Sequence, residues 1–372
     1  MSIDSAPANA FGRDVSVREL LRPLAPILAL EGVTELVVNA PGLVMYEQGA
    51  DWRQQALPEL SYARLQQLAR AIATFTDQDI GPRNPILSAI LPDGERVQMI
   101  APPAVPPETL SLSIRLPSSA IRSLDAYEAE GAFASFIWPA PEASDQASAL
   151  SPDDLELLDL LKTHNLKAFL TRAVQARRNI AIVGDTGSGK TTLMKSLCQI
   201  IPNAERIITI EDVRELFLPT HANLVHLLYS RGGQGVARVT PAELIAASMR
   251  MRPDRVLLAE LRGSEAFDFL KLLTTGHAGS ITSYHAESCA LAWERYVLMA
   301  KEHADAAIFD AQGLKRLVRL TLDIIIHMRS DLVSGPDGDL RKVRRVSEVH
   351  FDPIAKLGDR FGRRDIIKSR AS

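Results

Sequence analysis

The sequence predicts an α/β fold: strands and helices alternating around a parallel sheet, preceded by a smaller α+β domain. Three observations carry that expectation. Residues 179–196 read NIAIVGDTGSGKTTLMKS, an apolar run that enters a glycine-rich turn and leaves it as a helical pattern. Two further apolar, β-rich runs, residues 206–210 and 255–258, are each followed by acidic residues, which suits the carboxyl edge of a buried parallel sheet, where ligands bind. Residues 110–116, LSLSIRL, alternate instead, so the first half reads as antiparallel and half-buried.

At 372 residues the chain is long enough for two cores. The first domain is expected at residues 1–138, with disorder up to residue 14. Within it, residues 17–30 have helical spacing, and short strands fit 35–39 and 43–47 around Ala40-Pro41-Gly42. Residues 62–75 form an amphipathic helix, and 86–91 with 96–101 make a hairpin across Pro92-Asp93-Gly94. Residues 139–151, PAPEASDQASALS, have the composition of an interdomain linker. The larger domain, 152–372, opens with helices at 153–163 and 166–176. After the glycine turn and the two acid-ended strands come helices at 289–301 and 314–320. Strands at 322–328 and 344–351 then flank a Gly335-Pro336-Asp337-Gly338 turn.

Composition narrows the function. With 46% hydrophobic and 23% charged residues the chain is ordinarily globular, and a net charge of −3 argues against a surface that coats nucleic acid. The charge is uneven: residues 341–372 hold ten Lys/Arg against four Asp/Glu, a tail suited to anionic lipid, a partner or plain solvation. Cys198 and Cys289 match no metal-ligand spacing and imply a reducing compartment. No stretch reaches the ~18 apolar residues that cross a bilayer, and the N-terminus has no apolar signal core, so a cytoplasmic location is expected.

The turn Gly184-Asp185-Thr186-Gly187-Ser188-Gly189-Lys190-Thr191 fills every fixed position of G-x-x-x-x-G-K-[ST]. Glycines let backbone N–H groups converge on an anion, and the helix that follows adds the positive end of its dipole. Lys190 can reach β- and γ-phosphates, and Thr191 can offer its hydroxyl to Mg²⁺. The chain is thus expected to bind a nucleoside triphosphate. Downstream, Glu211-Asp212-Val213-Arg214-Glu215 offers carboxylates that could activate water or simply start a helix. Glu260 ends the second buried strand, where an acid can hold Mg²⁺ or activate the nucleophile. Arg250, Arg252 and Arg255 are either a solvated face or phosphate sensors, within the subunit or across an interface. His277 and His285 lie eight residues apart without the further ligands a metal site needs, and suit a γ-phosphate sensor better. Arg115 ends an alternating strand and reaches either solvent or a phosphate.

The order of these motifs, GDTGSGKTT, TIEDVREL, RMRPDRVLLAELRG and TGHAGSITSYHA, resembles the VirB-type traffic ATPases of type IV secretion systems. They belong to the superfamily that also holds pilus and type II secretion motors. The resemblance is strong over residues 179–286 and weaker in the first half, at EGVTELVVNAPG, LPDGERVQ and SLSIRLPS. It implies a RecA-like motor domain, ATP and Mg²⁺ as ligands, and homohexameric rings at the cytoplasmic side of the inner membrane, with other secretion components as partners and nucleic acid only as cargo. Carried over, Lys190, Thr191 and Thr192 bind phosphate and Mg²⁺, Glu215 activates water, and Glu260 is the Walker B acid and a metal ligand. His277, with His285 beside it in the motif, belongs to the histidine box, and Arg252 and Arg115 contact phosphate. The residues alone do not separate Glu211 from Glu215 as the base. A pilus or type II motor, or a nucleic-acid translocase on the same core, are the competing readings.

Overall fold

A computed structural model describes residues 12, 14–49, 51–116, 121–142, 148–229, 239–334 and 340–368. The chain divides into two compact units: residues up to Ser118 with two short later segments, and the rest from Ser119 onward.

The first unit begins with two short helices, α1 (Val15–Leu21) and α2 (Ala25–Leu28), where one helix over 17–30 was expected. Pro23 and Pro26 explain the break, since each lacks an N–H and crowds the preceding turn. The strands are β1 (Val33–Ala40), β2 (Leu43–Gln48), β3 (Asp51–Ala56), then, after helix α3 (Tyr62–Phe75), β4 (Ile86–Ile90), β5 (Arg96–Ile100) and β6 (Ser111–Arg115). They form one sheet in the order β3-β2-β1-β6-β5-β4, antiparallel throughout. Ser61 caps α3 by accepting from the Arg64 N–H. One face of the sheet, through Leu36, Val38, Val97, Leu112 and Ile114, buries against Leu65, Leu68 and Ile72 of α3. β3 escapes sequence reading because DWRQQA is exposed along its whole length and shows no alternation.

The second unit is a seven-stranded sheet in the order β13-β12-β7-β11-β10-β8-β9. Before it come α4 (Leu124–Ala129), α5 (Pro152–Lys162) and α6 (Leu166–Gln175). Then follow β7 (Ile180–Gly184), α7 (Lys190–Cys198), β8 (Ile207–Glu211), β9 (Leu224–Leu228), α8 (Pro241–Ser248), β10 (Arg255–Leu258), α9 (Glu265–Thr274), β11 (Ile281–Tyr284), α10 (Cys289–Lys301), α11 (Ala311–Thr321), β12 (Ile324–Ser334), β13 (Leu340–Phe351) and α12 (Pro353–Lys368). Strands β7 to β12 pair in parallel. Both faces are covered. Ile180 and Ile182 enter one core with Phe169, Leu193 and Leu197, while Ala181 and Val183 enter the other with Phe269, Leu270 and Tyr296. The period of two along β7 therefore separates two hydrophobic layers.

The first boundary differs from expectation. Leu124, Tyr127, Phe133 and Phe136 join the core that holds α6 and β7, so residues 121–138 belong to the second unit. The stretch is also stitched to β13: Val346 N–H donates to Ala132 O, Ile137 N–H to Ser347 O and Val349 N–H to Ile137 O. Trp138 Nε1 donates to Phe351 O at 3.2 Å. The Pro/Ala/Ser composition begins only after Trp138, so it does not mark this boundary. Part of the expected linker, residues 143–147, and the Gly335–Gly338 turn lie outside the described residues, as do most of the first fourteen. No helix among the described residues is long and apolar enough to cross a membrane.

Candidate active site

Strand direction decides what meets at the glycine turn. Ile281 pairs with Ile180 and Tyr284 with Val183, so β11 and β7 end side by side. Leu258 pairs with Ile210 and with Thr282, which brings the ends of β8 and β10 to the same edge. That carboxyl edge gathers the loop at 184–191, Glu211, Glu215, Glu260 and His285.

The loop needs its glycines for room as well as for φ. Gly184 has φ +145°, and a side chain there would begin 2.2 Å from Met328 O. Gly189, at φ +95°, is the left-handed residue from which α7 starts. Between them Ser188 Oγ donates to Asp185 O at 2.8 Å and closes the turn. Lys190 is buried, and its ammonium donates to Gly184 O at 2.7 Å and Asp185 O at 2.8 Å.

Beside that ammonium stands His285, with Nδ1 3.5 Å from Lys190 Nζ and Nε2 3.2 Å from Glu260 Oε1. Burial, reinforced by the Lys190 charge, holds the His285 imidazole below its usual 6.5. The neutral form is therefore favoured at neutral pH, and the ring stands with Nδ1 facing the ammonium and Nε2 facing the carboxylate. Arg262 binds the other Glu260 oxygen. Lysine, neutral imidazole and carboxylate thus form one polar row along the edge.

Glu211 is fully buried and committed. Its Oε2 accepts from the N–H groups of Glu215 and Leu216, each at 2.8 Å, and its Oε1 accepts from Thr209 at 2.7 Å. His226 Nδ1 lies 3.3 Å from the same Oε1. A carboxylate so bonded shapes the loop that carries Glu215, while Glu215 itself is half-buried at the edge.

Two expected site residues lie elsewhere. His277 precedes β11 and Arg252 precedes β10, so both stand at the amino-terminal edge of the sheet, opposite the loop. His277 Nδ1 pairs with Thr275 Oγ1 at 2.9 Å. Arg252 is exposed, with φ +53°. Of the same arginine cluster, Arg255 is wholly buried and structural: it forks onto Glu205 at 2.7 and 3.0 Å and donates to Val174 O. Arg115, in the first unit, is half exposed 3.8 Å from Glu35. A cavity of about 180 Å³ beside Asp323 and His350 also lies away from the loop, at the start of β12.

Sequence reasoning missed two cations. Arg344 Nε donates to Gly187 O at 2.9 Å, and Lys342 Nζ lies 3.4 Å from where a Gly187 side chain would begin. The alternation in RKVRRV was the available signal, because it puts residues 342 and 344 on one face of a strand.

For metal, the donors are hard oxygens, the Thr191 hydroxyl and the Glu260 carboxylate, which fit Mg²⁺ better than a softer ion. Among the described residues there is no cluster of three or more His, Cys, Asp and Glu that would hold a metal by itself.

A doubly covered parallel sheet with a complete phosphate loop and acids on neighbouring strand ends defines a nucleoside-triphosphate-hydrolysing motor domain. The family of type II/IV secretion system proteins matches residues 146–335. The type IV secretion system protein VirB11 of Brucella suis is 44% identical over 93% of this chain and 93% of its own length. The type IV secretion system protein PtlH of Bordetella pertussis is 43% identical over 87% and 92%. The chain belongs to the VirB11 family of type IV secretion ATPases. The crystal structure of the VirB11 ATPase from the Brucella suis system matches with a TM-score of 0.52 at 43% identity, across 94% of this chain and 98% of that one. The pilus retraction motor PilT, at 15% identity and a TM-score of 0.54 over 95% and 88%, shares the fold.

Proposed function

We propose that this secretion ATPase works as a homohexameric ring at the cytoplasmic face of the inner membrane, driving channel or pilus assembly or substrate transfer. The observation that carries its catalytic half is the row Lys190–His285–Glu260 beside the phosphate loop. Converging loop N–H groups and Lys190 hold the β- and γ-phosphates of ATP, while Thr191 and Glu260 hold Mg²⁺, which supplies charge neutralisation at the phosphates. Glu215 orients and deprotonates the attacking water, and Glu211 keeps the Glu215 backbone in place. His285, touching both Lys190 and Glu260, reports γ-phosphate to the acid. Arg252, on the far edge, serves a neighbouring subunit's phosphates, and Arg115 contacts phosphate when nucleotide binds. Nucleic acid enters only as cargo.

Purified protein should hydrolyse ATP with Mg²⁺, and Lys190→Ala should lower turnover by about 10²-fold or more, because a charge aimed at the transferring phosphoryl group is lost. Turnover that survives this change unaltered would sink the catalytic reading. Stimulation by DNA that weakens with salt would move the assignment toward a translocase.

A further inference from the structure

The β13 strand reaches the phosphate loop, and no motif accounts for it. Arg344 Nε–H donates to the carbonyl of Gly187, the residue at the crest of the loop, at 2.9 Å. The Arg344 Cδ lies 3.0 Å from where a Gly189 side chain would begin, so the side chain lies across both loop glycines. Lys342, two residues earlier on the same face, brings its ammonium to Gly187 as well. Arg345, on the opposite face, turns away to Asp331.

A peptide unit is planar, so holding the Gly187 carbonyl also sets the direction of the Ser188 N–H. That N–H and the Ser188 hydroxyl both point to Asp185 O, at 3.3 and 2.8 Å. The crest is therefore held from two sides: inward by its own turn, outward by Arg344. A glycine-rich loop has many other conformations available, and most of them scatter the N–H groups that an anion needs. A charge-assisted bond to one carbonyl narrows that set before nucleotide arrives.

We propose that Arg344 is a positioning residue for nucleotide binding. It pre-sets the phosphate loop through Gly187, with Lys342 adding positive charge beside the phosphates of a nucleoside di- or triphosphate. The proposal rests on the ATPase reading of the loop, but binding tests it separately from hydrolysis.

The full-length chain and the variants Arg344→Met, Arg344→Lys and Arg345→Ala are compared for affinity to a fluorescent Mg-ADP analogue, for KM and kcat with Mg-ATP, and for thermal melting. Arg344→Met should weaken the ADP analogue and raise KM by about tenfold, the scale of one charge-assisted hydrogen bond. kcat should change less, because the loop still closes once nucleotide is bound. Arg344→Lys keeps a donor and a charge and should recover much of the loss. Arg345→Ala should match the parent chain. The proposal is overturned if Arg344→Met lowers the melting temperature yet leaves affinity and KM within twofold. It is equally overturned if Met and Lys behave alike, or if Arg345→Ala weakens binding as much. Wild-type protein that binds the analogue but does not hydrolyse ATP would count against the catalytic reading and leave this comparison intact.

Discussion

The two edges of the second unit's sheet are built from the same motifs and do different things. At the carboxyl edge, four strand ends deliver the loop, Glu211, Glu260 and His285, and side chains separated by up to 95 positions meet in one polar row. At the amino edge, Arg252 and His277 precede β10 and β11, and Arg255 opens β10. There Arg255 is consumed by Glu205, while His277 pairs with Thr275. TGHAGSITSYHA reads as one unit in the chain, yet β11 runs through its middle and carries its two histidines to opposite sides. A motif that spans a strand is two places, and the direction of the strand says which half meets the loop.

The comparison can be broken most easily at the acids. Glu215→Gln should lower kcat by about 10²-fold or more if Glu215 is the base. Glu211→Ala should instead lose about 3 kcal/mol of stability, because buried N–H groups lose their acceptor. Unfolding curves and turnover measured on both variants would reverse the assignment if the Glu211 change abolished turnover at unchanged stability.

A smaller effect separates the histidines. His285→Asn should cut kcat about tenfold, the low end of what a positioned hydrogen-bonding group supplies. His277→Asn and Arg252→Ala should leave nucleotide affinity in dilute protein within twofold, and any loss of turnover should appear only at concentrations where chains associate. Weakened binding in dilute His277→Asn would put that residue back at the loop.

The smallest effect is on stability against pH. Burial pushes His285, His327 and His350 below their usual 6.5. The unfolded chain then takes up protons that the folded chain refuses, so stability should be flat above neutrality and fall as pH drops through about 6.5 toward the depressed values. Melting temperatures at pH 7.5 and 5.5 check the sign, and His350→Asn should make the slope shallower. A melting temperature that rises on acidification would contradict the burial of all three.

Local features were legible. The bounds of α3, β10 and α10 follow directly from apolar spacing and capping residues, because the segments are strongly periodic. The phosphate loop was legible because its chemistry requires fixed residues within eight positions. What escaped lacked a period or lay far away. Strand β3 is polar along its length, and α12 contains Gly358 and Gly362, poor helix formers. Helix α8 is marked in the sequence by the Thr240–Glu243 capping box, but at 8 residues it is too short for a strong apolar period. The RKVRRV alternation puts Lys342 and Arg344 on one strand face, but what they meet depends on where β13 passes, more than 150 residues after the loop that Arg344 touches.

The stitching of residues 132–137 onto β13 bears on how this protein is cut into pieces. A fragment begun at Pro152, where composition suggests a clean start, would strip Tyr127, Phe133 and Phe136 from the core and lay bare a long strand with unmatched N–H and C=O groups. Such a margin invites other chains to add themselves, so the fragment should precipitate or form sticky oligomers. A fragment begun at Ser119 keeps its own hem and is the one to express.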